Sequence, residues 1–70
     1  MEFRLKQLRK SRHISQIHLA MELGMTQNSI SRFETGTRRP DYDTLICFAD
    51  YFDVSIDYLV GRTDIPDLNK

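Results

Sequence analysis

One helix of this chain ends and the next begins within three residues, and this short connection restricts the fold more than any other feature. An amphipathic segment from Gln16 to Leu23 is followed by Gly24, and glycine adopts the left-handed conformation that ends helices without a Cβ penalty. Thr26 then supplies a side-chain oxygen of the kind that caps a new helix. The pattern predicts a helix-turn-helix over residues 15–36.

The residues around the first of these two helices agree with this prediction. Ser15 is a good N-cap, and Ile14 and Leu19 have the spacing of a hydrophobic staple, which Met25 and Ile30 repeat at the second helix. Ala20 is small enough to let two helices cross closely. The residues expected to face inward are Ile17, Ala20 and Leu23.

The second helix has an outward face of amides, hydroxyls and one arginine. A helical period turns Ile30, Phe33 and Glu34 inward. The outward residues are then Asn28, Ser31, Arg32 and Thr35, with Gln27 at the exposed tip. Glutamine and asparagine can pair with adenine N6 and N7, and arginine with guanine or a phosphate. The alternative is an ordinary solvated helix face.

A charged residue lies on the inward stripe of each of two helices. Arg9 shares its stripe with Leu5 and Leu8 in the first helix of the chain, and Glu34 lies on the inward face of the third. Because an unpaired buried charge is costly, we expect Arg9 and Glu34 to form a bidentate ion pair between these helices.

The rest of the chain is expected to support the motif. Asp41 is a candidate cap for a helix whose stripe of Leu45, Phe48, Ala49 and Phe52 would close the core, and Ser55 caps a short helix of about residues 55–60 that Gly61 stops. The tail from Arg62 has no periodicity and is expected to be loose or to cross to a partner. Four further side chains could line a dimer contact: Cys47, Tyr51, Ile56 and Tyr58.

The charges are divided unevenly along the chain, although the formal net charge is zero. Residues 1–40 contain eight Lys or Arg and three acidic residues, whereas residues 41–70 contain two and seven. The division suggests one end suited to phosphates. Ordinary surface charge that happens to segregate is the alternative.

Several other classes of protein fit the sequence poorly. Seventy residues allow one domain, and no stretch approaches the length and apolar character of a membrane span. The polar N-terminus does not resemble a signal peptide, so a cytoplasmic location is expected. His13 and His18 lack the spacing of a shared metal site, and Cys47 has no arguable catalytic partners. We therefore expect no enzyme, metal or cofactor.

An ordered set of residues resembles the Cro/C1-type, or XRE, helix-turn-helix family of phage and bacterial repressors. The similarity covers Gln16, Leu19–Thr26 in part, Ile30–Ser31, Phe33–Glu34, Gly36 and Pro40, and continues through Thr44–Leu45, Ala49 and 54–59. The resemblance implies an all-α, five-helix, lambda-repressor-like domain, which we place at residues 1–61 with a tail at 62–70. It also implies a homodimer on palindromic double-stranded operator DNA.

The resemblance also assigns roles to individual residues. It implies that Gln16 clamps a phosphate, that Gln27 and Asn28 approach base edges, and that the Thr37–Arg39 loop grips the DNA backbone. A solvated loop is the alternative for the last of these. The full candidate set for DNA binding is Ser15, Gln16, Thr26, Gln27, Asn28, Ser31, Arg32, Thr37, Arg38 and Arg39.

The expected function is that of a sequence-specific transcriptional regulator, and a repressor in particular. Two alternatives remain open at this point. The chain could be the antitoxin of a toxin-antitoxin pair that binds its own operator, or a protein-interaction module built on the same fold. Met25 departs from the smaller residue that is more usual in the family, which affects packing.

Overall fold

The computed structural model describes residues 3–66, and all the regular structure in this range is helical. The helices are α1 (Leu5–Ser11), α2 (Gln16–Leu23), α3 (Gln27–Thr35), α4 (Tyr42–Phe52) and α5 (Ile56–Leu59). The predicted all-α, five-helix class is therefore confirmed. The described residues divide into two units, residues 5–39 and residues 3–4 with 40–66.

The unit of residues 5–39 is built from α1, α2 and α3, with both α1 and α2 packed against α3. Its buried apolar side chains are Leu5, Leu19, Ala20, Ile30 and Phe33. These burials agree with the helical stripes read from the sequence, and Leu8 and Leu23 are half-buried.

One residue of α2 does not lie where the sequence indicated. Ile17 was expected to face inward, but it is 60% exposed. The buried residues Leu19 and Ala20 define a stripe that, at about 100° per residue, continues toward Gln16 rather than Ile17. The polar residue Gln16 therefore occupies the inner stripe of α2, where the sequence pattern had indicated the apolar Ile17.

All five described helices end in the same way. After α2, the Met25 N–H bonds the Ala20 carbonyl at 2.8 Å, and Gly24 between them has φ +67°. This is a Schellman ending, in which one residue must be left-handed. The corresponding residue is Gly36 after α3 and Gly61 after α5, but it is His13 after α1 and Asp53 after α4.

The other unit contains α4 and α5, which pack on each other. Asp41 and Ser55 cap these helices as predicted, since their side chains accept hydrogen bonds from the backbone N–H groups of Thr44 and Tyr58. Leu45 is half-buried. The last helix, α5, ends at Leu59, and Gly61 stops it as predicted, with φ +82° and the Arg62 N–H bonded to the Asp57 carbonyl at 2.8 Å. The buried residues of this unit are Phe48, Ala49, Phe52, Val54 and Leu59.

The segment after α5 is held by Arg4, contrary to the prediction of a loose tail. The Arg4 side chain donates to the carbonyls of Tyr58 and Thr63 at 2.8 and 3.2 Å and to Asp64 Oδ1 at 2.9 Å. Its guanidinium also lies 4.3 Å from the centre of the Tyr58 ring. The Ser55 N–H bonds the Pro66 carbonyl. The prediction of a loose tail is therefore wrong for residues 62–66, and residues 67–70 lie outside the described range.

Candidate nucleic-acid interface

All ten candidate DNA-binding residues lie in the unit of residues 5–39, at the start of α2, on α3 and in the loop after it. Gln16 and Ser31 are half-buried. Eight are exposed, namely Ser15, Thr26, Gln27, Asn28, Arg32, Thr37, Arg38 and Arg39. The side chains at the tip and along the outward face of α3 are therefore open to a large partner.

Two of the exposed hydroxyls have a structural role at the helix starts. Ser15 Oγ accepts a hydrogen bond from the His18 N–H at 3.0 Å, and Thr26 Oγ1 accepts one from the Ser29 N–H at 3.1 Å. These are the predicted N-caps, and they satisfy backbone donors that a helix start leaves without partners. They fix where α2 and α3 begin and hence which residues reach the tip.

Arg9 of α1 and Glu34 of α3 form a bidentate ion pair inside this unit. Arg9 Nε donates to Glu34 Oε2 at 2.7 Å, and Arg9 Nη2 donates to Glu34 Oε1 at 3.1 Å. The two side chains are 9% and 2% exposed. The hydrogen bond to Glu34 raises the pKa of Arg9 above its ordinary value, against the opposing effect of burial. The third nitrogen, Nη1, donates to the Ile14 carbonyl.

A chain of side-chain hydrogen bonds leads from this ion pair to the tip of α3. Gln16 Nε2 donates to Glu34 Oε1 at 3.0 Å, and Gln27 Nε2 donates to Gln16 Oε1 at 2.7 Å. The family resemblance implies only a phosphate contact for Gln16, and its bonds to Glu34 and Gln27 were not predicted from the sequence. Gln16 lies one helical turn before the buried Ala20, on the inner stripe of α2. This position was the sequence signal that could have indicated that its side chain faces inward.

A second cluster holds Arg38, and its central residue, Ser29, was not singled out from the sequence. Ser29 Oγ accepts hydrogen bonds from Thr26 Oγ1 at 2.9 Å and from Arg38 Nη1 at 3.2 Å. The Arg38 guanidinium also lies 5.2 Å from the centre of the Phe33 ring, within the range of a cation–π contact. The loop arginine is thus held beside the first turn of α3. The only sequence signal for this cluster was that Ser29 is the third residue of a helix capped by Thr26.

The unit that contains the candidate site carries an excess of positive charge. Residues 5–39 include seven Lys or Arg side chains and two acidic ones, Glu22 and Glu34. Glu34 is paired with Arg9, so these two charges balance each other. Six basic residues and one acidic residue then remain in residues 5–39. Such an excess attracts a polyanion and raises its rate of encounter.

The described residues offer few other sites of chemistry. Within residues 3–66, no group of three or more His, Cys, Asp or Glu side chains is placed to hold a metal ion. Cys47 is exposed. Among the described residues, no helix has the length and apolar character required to cross a bilayer.

A capped helix-turn-helix that exposes an amide-tipped second helix in a positively charged unit defines a DNA-binding module. The helix-turn-helix family model matches residues 5–59. The chain belongs to this family, of the Cro/C1 or XRE type, whose members are DNA-binding transcriptional regulators. The family is not enzymatic, so the matched region is assigned no catalytic activity.

Similar proteins include regulators from bacteria and a phage. The HTH-type transcriptional regulator YobD of Bacillus subtilis is 39% identical over 91% of this chain and 57% of its own length. The regulator YqaE of the same organism is 43% identical over 80% of this chain and 48% of its own length. The phage CTXphi transcriptional repressor RstR of Vibrio cholerae is 36% identical over 84% of this chain and 53% of its own length.

The chain spans about half the length of these relatives. The similarity therefore covers their helix-turn-helix part. No solved structure matches the chain significantly.

Proposed function

We propose that this protein binds double-stranded DNA sequence-specifically by inserting α3 into the major groove, and that it represses transcription by occupying its operator. The observation that carries the proposal is the joint exposure of Gln27, Asn28 and Arg32 on α3. Asn28 and Arg32 are four residues apart and so lie on one side of the helix. A major groove accommodates one α-helix, and these side chains match the hydrogen-bonding groups of its base edges.

The candidate residues divide into two kinds of contact. Gln27 and Asn28 are proposed to read base edges, with Ser31 and Arg32 adding base or phosphate contacts further along α3. Gln16 and the loop of Thr37, Arg38 and Arg39 are proposed to bind backbone phosphates, which position the helix without reading sequence. Ser15 and Thr26 contribute mainly by capping the helices that carry these groups.

The mode of binding proposed is a homodimer on a palindromic operator. Two recognition helices would then lie about 34 Å apart, one turn of DNA. The proposed repression is supported by the similarity to RstR, a repressor. We also propose that the protein acts in the cytoplasm, where it would meet such an operator.

A salt titration of DNA binding tests the proposal. The purified protein is titrated, at several salt concentrations, into a duplex enriched from a random pool and into a scrambled duplex of the same composition. We expect tighter binding to the enriched duplex and a linear fall of log affinity with log salt, because neutralised phosphates release counterions. Equal affinity for both duplexes would overturn the proposed sequence specificity, and no binding even at low salt would overturn the proposal and favour a protein-interaction module.

Repression needs its own measurement. A reporter gene is placed behind a promoter that overlaps the enriched sequence, and expression is compared with and without the protein. We expect lower expression when the protein is present. Higher expression would show that the protein activates from that site.

A further inference from the structure

We propose that His13 binds a backbone phosphate of DNA, and that this contact offsets the backbone strain that the side chain causes in the turn between α1 and α2. The inference rests on the proposed function and adds a phosphate contact at a residue outside the candidate set. Three observations support it: the strain at His13, the place of the turn beside the tip of α3, and the charge of the surrounding segment.

The first observation is that His13 is held in a backbone conformation that disfavours its side chain. Its φ is +59°, and its N–H bonds the Lys10 carbonyl at 3.0 Å at the end of α1. The equivalent residue after α2 is Gly24, which adopts this conformation without a Cβ penalty. The His13 side chain is exposed and has no hydrogen-bond or ion-pair partner among residues 3–66, so no such contact within the described fold offsets the strain. Strained residues of this kind cluster at functional sites.

The second observation is that the turn is fixed close to the tip of α3. Arg9 Nη1 donates to the Ile14 carbonyl at 2.9 Å, and the Ile14 N–H bonds the Arg9 carbonyl. Gln16 follows two residues later and bonds Gln27 at the start of α3. Three residues of chain span at most about 11 Å, so the Cα atom of His13 lies within that distance of Gln16. A DNA strand presents a phosphate about every 3.4 Å along the helix axis. A strand that contacts Gln16 therefore has further phosphates within reach of His13.

The third observation is the charge of the segment around the turn. Residues 5–21 include four Lys or Arg residues and no Asp or Glu. Two of these, Lys10 and Arg12, are exposed and lie within three residues of His13 in the chain. Such a segment attracts a polyanion. An imidazole N–H can donate to a phosphate oxygen, and a hydrogen bond to an ionised acceptor is stronger than one to a neutral acceptor.

Two variants separate the phosphate contact from the strain. Both His13→Gly and His13→Ala remove the imidazole, but only glycine relieves the left-handed conformation. We expect each variant to bind the enriched and the scrambled duplex about three- to tenfold more weakly than the wild type, with the same base preference. The Tm should rise in His13→Gly and should not rise in His13→Ala. Weaker DNA binding by a more stable protein is a result that a purely structural role of His13 does not give.

A third variant should restore binding, and a fourth serves as the control. His13→Lys keeps the left-handed strain and supplies a permanent positive charge, so we expect at least the wild-type affinity and a salt slope steeper by about one. His18→Ala removes the other histidine, which lies 4.0 Å from Glu22, and should leave the affinity unchanged. Wild-type affinity in both His13→Gly and His13→Ala, or an equal loss in His18→Ala, would overturn the inference.

A second measurement separates failure of this inference from failure of the proposed function. The NMR signals of both imidazole rings are followed while the scrambled duplex is added to the wild-type protein. We expect the His13 ring signals to shift and the His18 ring signals to stay in place. Binding of the duplex with no shift at His13 would overturn the inference and leave the proposed function standing. A protein that binds neither duplex would overturn the proposed function, and the inference with it.

Discussion

Arg9 Nε donates a 2.7 Å hydrogen bond to Glu34 Oε2, and this contact joins α1 to α3 across 25 residues of sequence. Both side chains are almost completely shielded from water. The same carboxylate also receives Gln16, whose carbonyl holds Gln27. The stability of the unit and the geometry of its tip therefore depend on one pair of charges.

Removing one member of this pair should destabilise the protein strongly. We expect Arg9→Met or Glu34→Ala to lower the free energy of unfolding by about 3–5 kcal/mol, because each leaves a buried charge without its partner. The double variant Arg9→Met/Glu34→Ala should lose less than the sum of the two single losses. Chemical denaturation measures all three.

The control for this cycle is Lys10→Met, which removes an exposed charge from the same helix and should change the stability by less than about 0.5 kcal/mol. Strictly additive losses would show that Arg9 and Glu34 do not interact. The hydrogen bond to Glu34 that raises the pKa of Arg9 stabilises the fold at neutral pH, and on the alkaline side this contribution is lost only when strongly alkaline solution deprotonates Arg9. This contribution should therefore be constant through neutral pH.

Gly24→Ala should cost a moderate amount of stability, because the penalty is conformational and not steric. Gly24 has φ +67°, and a Cβ built there would meet no atom within 4 Å. The left-handed conformation costs an L-residue about 1–2 kcal/mol, and Gly24→Asn should recover part of this loss because asparagine tolerates that conformation. Denaturant titration measures both, and a loss well above about 3 kcal/mol would contradict the open space around Gly24.

His13→Gly should stabilise the protein. His13 ends α1 with φ +59° in the position that Gly24 occupies after α2, so glycine relieves the strain and should gain about 0.5–1 kcal/mol. In a domain of this size, 1 kcal/mol corresponds to a Tm shift of about 4–8 °C. His18→Gly is the matched control: His18 lies inside α2, where glycine should cost up to about 1 kcal/mol. A lower Tm in both variants would refute the interpretation.

Arg38→Ala should weaken binding to every DNA sequence alike. The Arg38 side chain is held by Ser29 and Phe33 beside the start of α3, which suits a fixed phosphate contact. Loss of one such contact should reduce the salt slope by about one without changing sequence preference. Arg62→Ala removes an exposed arginine from the other unit and should leave the slope unchanged. A changed base preference in Arg38→Ala would mean that Arg38 reads bases.

Helix starts and ends could be predicted from the sequence because they depend on local bonds. Ser15, Thr26, Asp41 and Ser55 each accept a hydrogen bond from the backbone N–H three residues later. Such contacts need only the right residue at the right short spacing. The observed bounds of α2 consequently equal those expected, and those of α5 lie within about one residue of them.

Most features that depend on distant residues were missed. Arg4 holds Asp64 across 60 residues of sequence, and no local pattern in the tail indicates this partner. Ile17 was placed inward by its apolar character, although Gln16 takes that position because its amide can bond Glu34. The Arg9 and Glu34 pair is a long-range contact that could be anticipated, since a charge on an apolar stripe requires a partner.

Selection of bound fragments from random duplexes, with the wild-type protein and with Gln27→Ala and Asn28→Ala, tests the central claim most directly. If α3 reads the major groove, the wild type enriches one sequence, and each variant loses preference at one or two base pairs while keeping it elsewhere. Enrichment of the same sequence to the same extent by all three proteins would show that the tip of α3 does not read DNA.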